Sequence, residues 1–365
     1  MKKILIGLFV IICAVAIGYN AYRFEQQATT GKKKIYALLP VTGNLSFQGK
    51  EEKKAMELWM QNHPDAPFEL EIFDNESDAT KSLTLAQRIA MSDKQPLFIC
   101  PTGGMGHPII PQLKSMNGFM ILSPSTQEED GTYKEFQRIS WGASDMNKPL
   151  FDYVKKGQNV IIMHSNELAG HTGADKAQEA FEKNGANIIE RLAFDTKELD
   201  MRIIVLKAIS YKPDVIFITS PPTIGFINVI KELKTQEYPG VVLSDPALSM
   251  PPIISQLGSN ADGFYTTVIP TERIYEEYPQ VAKAITEGGM ELYWFSINIW
   301  DIMDVLNYFV TNNIPFNQNE FMKMKKWHGI SSDIVFTENG NSVYTSITLS
   351  VVKDGKFVPL EKEER

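Results

Sequence analysis

Leu97-Phe98-Ile99-Cys100-Pro101-Thr102-Gly103-Gly104-Met105-Gly106-His107-Pro108 and, further on, Phe119-Met120-Ile121-Leu122-Ser123-Pro124-Ser125-Thr126-Gln127 are two apolar runs that each break into a small polar turn. Short apolar runs bounded by turn residues suit fully buried strands, and Pro108 to Asn117 between them suits one short helix. The unit is strand, glycine turn, helix, strand, polar turn. If the strands are parallel neighbours, both turns lie at the same carboxyl edge of a sheet, where open α/β sheets bind ligands. Glycines there let a ligand approach backbone N–H groups, and a helix start favours an anionic group. The stretch points to a small ligand, and more to binding than to chemistry.

The same alternation extends both ways. Ile35–Leu39 is a predicted strand ending at Pro40-Val41-Thr42-Gly43, and Gly49 to Met60 a helix with Ala55, Leu58 and Trp59 inward. Phe68–Phe73 is a strand, and a helix then runs to Met91. After an irregular stretch from Gln137 to Asn147 a second series begins. Its strands are Val160–Met163, Asn187–Ala193, Val215–Thr219, Val241–Leu243 and Gly263–Thr267. Its helices are Gly173–Asn184, Leu199–Ser210 and Thr223–Thr235. Strands separated by helices of this length indicate parallel βαβ units. Two such series predict two lobes, alike in architecture without a residue-level repeat. Leu292–Asn312 and Asn319–Lys326 follow as helices, and Asp333–Thr337 with Val343–Val352 as a hairpin turning at Asn339-Gly340.

A chain of 365 residues has room for two such domains. Hydrophobic content of 43% and charged content of 22% are globular values. A net charge of −8 disfavours a nucleic-acid or acidic-lipid surface, which needs a basic footprint. The Lys2-Lys3 and Lys32-Lys33-Lys34 clusters are short and lie before or at the very start of the predicted fold. The two cysteines, Cys13 and Cys100, are not expected to pair. Met1-Lys2-Lys3 followed by the uncharged Ile4–Tyr22 has the plan of a secretory signal, with Ala14-Val15-Ala16 at a cleavable position. A helix over that run would span about 28 Å at ~1.5 Å per residue, so an uncleaved anchor fits as well. Either places the main domain outside the cytoplasm.

Catalytic sets are not found. The five histidines, His63, His107, His164, His171 and His328, lack metal-ligand spacing. Gly103-Gly104-Met105-Gly106 is not the dinucleotide fingerprint, no phosphate-loop lysine follows it, and no Gly-x-Ser-x-Gly is present. No metal and no cofactor is expected. The candidate site lies in turns after strands: Gly43 to Gln48, Thr102-Gly103-Gly104, Ser123 to Gln127, His164 to Gly170, Ser220-Pro221-Pro222 and Ser244-Asp245-Pro246. Asp245 either faces an ammonium group across a cleft or caps a helix before Pro246. Ser125 and Thr126 are either caps or donors to a ligand carboxylate. Trp141 either walls the cleft or packs between lobes.

From Lys33 to Pro359 the chain resembles the periplasmic branched-chain amino-acid-binding family, type I solute-binding proteins of ABC transporters similar to leucine-binding protein. The resemblance is carried by Leu38-Leu39-Pro40-Val41-Thr42-Gly43 with Gly49, Ile121-Leu122-Ser123-Pro124-Ser125-Thr126, Val242-Leu243-Ser244-Asp245-Pro246-Ala247, Gly329-Ile330-Ser331-Ser332-Asp333-Ile334-Val335-Phe336 and Asp354-Gly355-Lys356-Phe357-Val358. It implies an α/β fold of two doubly wound parallel-sheet lobes joined by a three-crossover hinge that closes on a ligand. Lobe 1 would be residues 33–147 and 271–330, and lobe 2 residues 148–270 and 331–365. Residues 1–32 would be a signal peptide, or a membrane anchor, plus linker. The ligand-binding residues it implies are Gly103, Gly104, Ser125 and Gln127 for a carboxylate and Asp245 for an ammonium. Gln48 stands where the family often has an aromatic residue. Thr102, Thr126 and Trp141 complete the candidate set. The glycine turn lacks the family's serine, and Glu167-Leu168-Ala169-Gly170 replaces its usual Tyr-Gly. The expected partners are a small amino-acid-like, amide or carboxylate ligand and an ABC transporter permease in the membrane, with no nucleic acid. A membrane-anchored ligand sensor of the same fold and an enzyme are the alternative readings.

Overall fold

The computed structural model describes residues 32–123 and 130–360. The quoted stretch forms two parallel neighbours, β3 (Leu97–Cys100) and β4 (Phe119–Leu122), in direct register from Leu97 opposite Phe119 to Cys100 opposite Leu122. With β1 (Lys33–Leu39), β2 (Phe68–Asp74) and β5 (Phe136–Arg138) they make a parallel sheet of order β2-β1-β3-β4-β5. All four residues of β3 and of β4 are buried, as expected of strands covered on both faces.

The second series repeats the plan. Strands β6 (Asn159–Ser165), β7 (Asn187–Phe194), β8 (Val215–Thr219), β9 (Val241–Ser244) and β10 (Tyr265–Val268) lie in the order β7-β6-β8-β9-β10 and are parallel. Counted from its own first strand, each lobe thus has the same 2-1-3-4-5 order. A small antiparallel sheet of β11 (Lys326–His328), β12 (Asp333–Phe336) and β13 (Ser342–Tyr344) joins the first lobe's core. Strands β14 (Thr348–Lys353) and β15 (Lys356–Pro359) extend the second sheet antiparallel beyond β10. The chain therefore passes between lobes three times: after β5, after β10 and after β13. That is the doubly wound, three-crossover architecture.

Four expectations are corrected. The hairpin at Asn339-Gly340 forms, but Ile334, Phe336 and Tyr344 pack in the first lobe's core, so that lobe continues past Ile330 and the second resumes at Thr348. The stretch from Gln137 to Asn147 is ordered: β5 starts it, and the helix Ala143–Tyr153 follows. Its polar residues hid the strand, because their side-chain donors reach carbonyls of the distant hairpin. Gln137 Nε2 donates to the carbonyls of Gly340 (3.1 Å) and Asn341 (2.9 Å), and Arg138 donates to that of Ser342 (3.0 Å). The helix expected over residues 108–117 is one turn, Ile110–Leu113, and the glycine turn before it is itself helical over Gly103–Gly106, with Pro108 between the two lacking a donor. The helix expected from Leu199 begins at Arg202.

Lobe 1 is organised by the helices Ser46–Asn62 and Trp294–Thr311, which meet at a fully buried Trp59. The Trp59 indole donates to Asp304 (2.7 Å), whose carboxyl burial pushes up to about 6. A raised carboxyl favours the folded state when protonated, and that share is lost as pH rises through about 6. Asp304→Asn is therefore expected to reduce the stability gained between pH 8 and pH 5 by about 1–2 kcal/mol. Urea unfolding at the two pH values measures this; equal pH dependence in both proteins contradicts it.

Candidate functional site

In each sheet the winding direction reverses between the first and third strands, β1/β3 and β6/β8, and a ligand crevice forms at such a point beyond the carboxyl ends. The two crevices face each other. Between them lies a cavity of about 360 Å³, lined from lobe 1 by Leu45, Gln48 and Thr102 to Met105, and from lobe 2 by Glu167 to Ala169, Thr219 to Pro222 and Asp245 to Ala247.

On lobe 1, the helix that carries Gln48 approaches the end of β1 too closely for any side chain at Gly49: a Cβ there would stand 2.3 Å from the Pro40 carbonyl oxygen. Gln48 Nε2 donates to Glu52 Oε1 (2.8 Å), to the Pro101 carbonyl (3.1 Å) and to Thr102 Oγ1 (3.3 Å), so the amide oxygen is its remaining polar atom. Glu52 is fully buried, and burial raises its carboxyl well above the usual range. After β3, the Thr102 carbonyl accepts from Met105 N and Gly106 N, both at 3.0 Å. Among the described residues the Gly103 and Gly104 N–H groups donate to no acceptor. A Cβ on Gly104 would meet nothing within 4 Å, so the backbone borders open space.

On lobe 2, two glycines draw the helix Leu168–Lys183 onto the strand ends. A Cβ at Gly170 would lie 2.2 Å from the Ser165 carbonyl oxygen, and one at Gly173 would lie 2.3 Å from Thr219 Oγ1. Glu167 caps this helix, accepting from Ala169 N (3.0 Å), Gly170 N (2.8 Å) and Ser165 Oγ (2.7 Å). Asp245, after β9, accepts from Thr219 Oγ1 (2.8 Å) and Ser220 N (3.0 Å) on one oxygen and from Ala247 N (3.1 Å) on the other. It thus caps the turn Pro246–Ser249 and borders the cleft at once. Asp245 keeps some accessible surface, yet burial dominates its carboxyl and pushes it up to about 7 against the three hydrogen bonds, with the Glu167 charge adding to the rise.

Of the predicted site residues, Gln48, Thr102, Gly103, Gly104 and Asp245 line this cavity. Ser125, Thr126 and Gln127 lie outside the described residues, as does the N-terminal run Ile4–Tyr22 with Cys13. Trp141 is not on the lining. It is buried against Tyr344, with ring centroids 3.9 Å apart, and borders a neighbouring cavity on the hinge side. Sequence reasoning missed Met146, Asn147, Trp294 and Phe295, which line the cleft from helices at the crossovers. Glu167 and Thr219 had a usable signal: they end or follow β6 and β8, the equivalents of β1 and β3. Among the described residues no cluster of three metal-ligating side chains occurs, and no helix is long and apolar enough to cross a membrane.

The sequence profile of the family described as periplasmic binding protein matches residues 33–309. No curated protein matches the sequence. Solved structures are similar in fold. A leucine-binding protein, LivK, from Thermotoga maritima is 18% identical, with a TM-score of 0.76, covering 90% of this chain and 98% of its own. The branched-chain amino acid transporter substrate-binding protein LivJ from Streptococcus pneumoniae, solved with isoleucine, is 14% identical, with a TM-score of 0.74, over 89% of this chain and 97% of its own. A solute-binding protein of an ABC transporter from Rhodopseudomonas palustris, solved with 3,4-dihydroxybenzoic acid, is 17% identical, with a TM-score of 0.73, over 90% and 95%.

Proposed function

The chain belongs to the periplasmic binding protein family, in its leucine-binding-protein-like type I branch, and from that premise we propose that it captures a small amino-acid-like solute between its lobes by hinge closure, outside the cytoplasm, and delivers it to an ABC transporter permease. One observation carries the reading: the crevices of both lobes, with Gln48 and Gly103-Gly104 on one side and Asp245 on the other, bound the same cavity. Asp245 receives the solute's ammonium group as a charge-assisted partner. The Gly103 and Gly104 amides, with Ser125, Thr126 and Gln127, receive its oxygen end. Thr102 holds the turn and Gln48 closes the wall. No catalytic step is assigned to any of these residues.

A thermal-shift screen against amino acids, amino-acid amides, urea and small carboxylates tests the proposal. A true solute at about 100 times its Kd adds about 2.7 kcal/mol to stability, a shift of several degrees. No shift with any member at millimolar concentration overturns it.

A further inference from the structure

The cavity between the lobes does not end at its inner wall. A second chamber of about 470 Å³ lies on the hinge side, and Met146, Pro246 and Trp294 border both spaces. Of these shared side chains Met146 is unbranched and repacks readily. The second chamber is walled by Trp141, Ile269, Ile347, Trp294, Ile254 and Phe357, drawn from the three crossover regions, the helices Trp294–Thr311 and Pro251–Leu257, and β15. Its charged residues, Glu272, Glu291 and Lys356, are exposed at the mouth.

The front cavity has the opposite character. Two carboxyl groups, Glu167 and Asp245, border it, and no lysine or arginine does among the described residues; His107 is its other titratable group. A low-dielectric space holding carboxyl groups without a fixed cation favours a ligand that brings one.

We infer that the two spaces form one site for an elongated amine, its ammonium group between Asp245 and Glu167 and its apolar tail passing Met146 into the aromatic hinge chamber. This rests on the solute-binding reading above and names the ligand class of that site. The tail would touch every crossover, so its length would govern how well the closed state is held.

Calorimetric titration with n-butylamine, n-octylamine and octanoate tests it. The four added methylenes are expected to tighten octylamine binding at least about 30-fold over butylamine, and octanoate is expected not to bind. Ser249→Trp and Ile347→Trp, at positions that border the hinge chamber and not the front cavity, are each expected to remove the octylamine gain while butylamine binding persists and reports an intact fold. Equal affinity for the two amines in the unmodified protein overturns the inference, as does octanoate binding as well as octylamine, or a gain that survives in both variants. In those cases the solute-binding reading stands if the amino-acid and amide screen yields a ligand. It falls separately if nothing in that screen binds.

Discussion

Replacing Asp245 by alanine is expected to weaken binding of the solute about 150- to 4000-fold. In the proposed site the carboxylate pairs with the ammonium group, and breaking a buried charge pair by removing one member costs ~3–5 kcal/mol because the other charge is left unmatched. The same substitution removes a cap, since Asp245 also accepts from Ala247 N and holds Thr219 and Ser220. Asp245→Asn separates the two effects. Its amide oxygen keeps the bonds from Thr219 and Ser220 while its NH2 gives up the one from Ala247 N, so part of the cap's stability is retained, while the negative charge and most of the affinity are gone. Titration calorimetry with the solute found in the screen checks both variants. Unchanged affinity in Asp245→Asn refutes the ammonium assignment.

Affinity for a cationic or ammonium-bearing solute is expected to fall about 100-fold between pH 7 and pH 5. Burial raises the Asp245 carboxyl to about 7 in the free protein, so it is increasingly protonated below that value. A protonated carboxyl carries no charge for the ammonium group, and each pH unit below 7 then costs about tenfold in apparent binding. The groups facing Asp245 are Thr219, Ser220, Ala247 and the Glu167 carboxylate. Asp245→Asn should be weak and nearly flat over the same range. A pH-independent Kd in the unmodified protein contradicts the prediction.

The two predictions rest on a site that the sequence disclosed only in part. Four-residue apolar runs followed by Gly, Pro and Ser made the parallel units legible, and with them the carboxyl edge where Thr102, Gly103, Gly104 and Asp245 stand. What escaped was long-range satisfaction of polar groups. Gln137 and Arg138 read as loop because their partners, the carbonyls of Gly340 to Ser342, lie about two hundred residues away in sequence. The lobe boundary near Ile330 was misplaced for a related reason: a hairpin's pairing is local, but which core receives Ile334 and Phe336 is not. Trp141 could be placed on either side of a wall by its hydrophobicity alone, and it stands on the hinge side. Glu167 was legible only as part of the candidate turn His164 to Gly170, because a carboxylate three residues before a helical glycine looks like a cap, which it also is.

Asp245 likewise caps a turn and borders the cleft. Such double use follows from the architecture: the residue after a buried strand starts the next helix or turn, and the same residue lines the crevice at the sheet's edge. The closely packed Gly49, Gly170 and Gly173 bring those helix starts near enough to the strands for their side chains to reach a common space.

Solution scattering of the protein, with and without a solute that stabilises it in the thermal screen, tests capture by closure most directly. The account predicts a smaller radius of gyration on adding solute, with the compaction lost in Asp245→Ala. A ligand that saturates the protein and leaves its dimensions unchanged would contradict it.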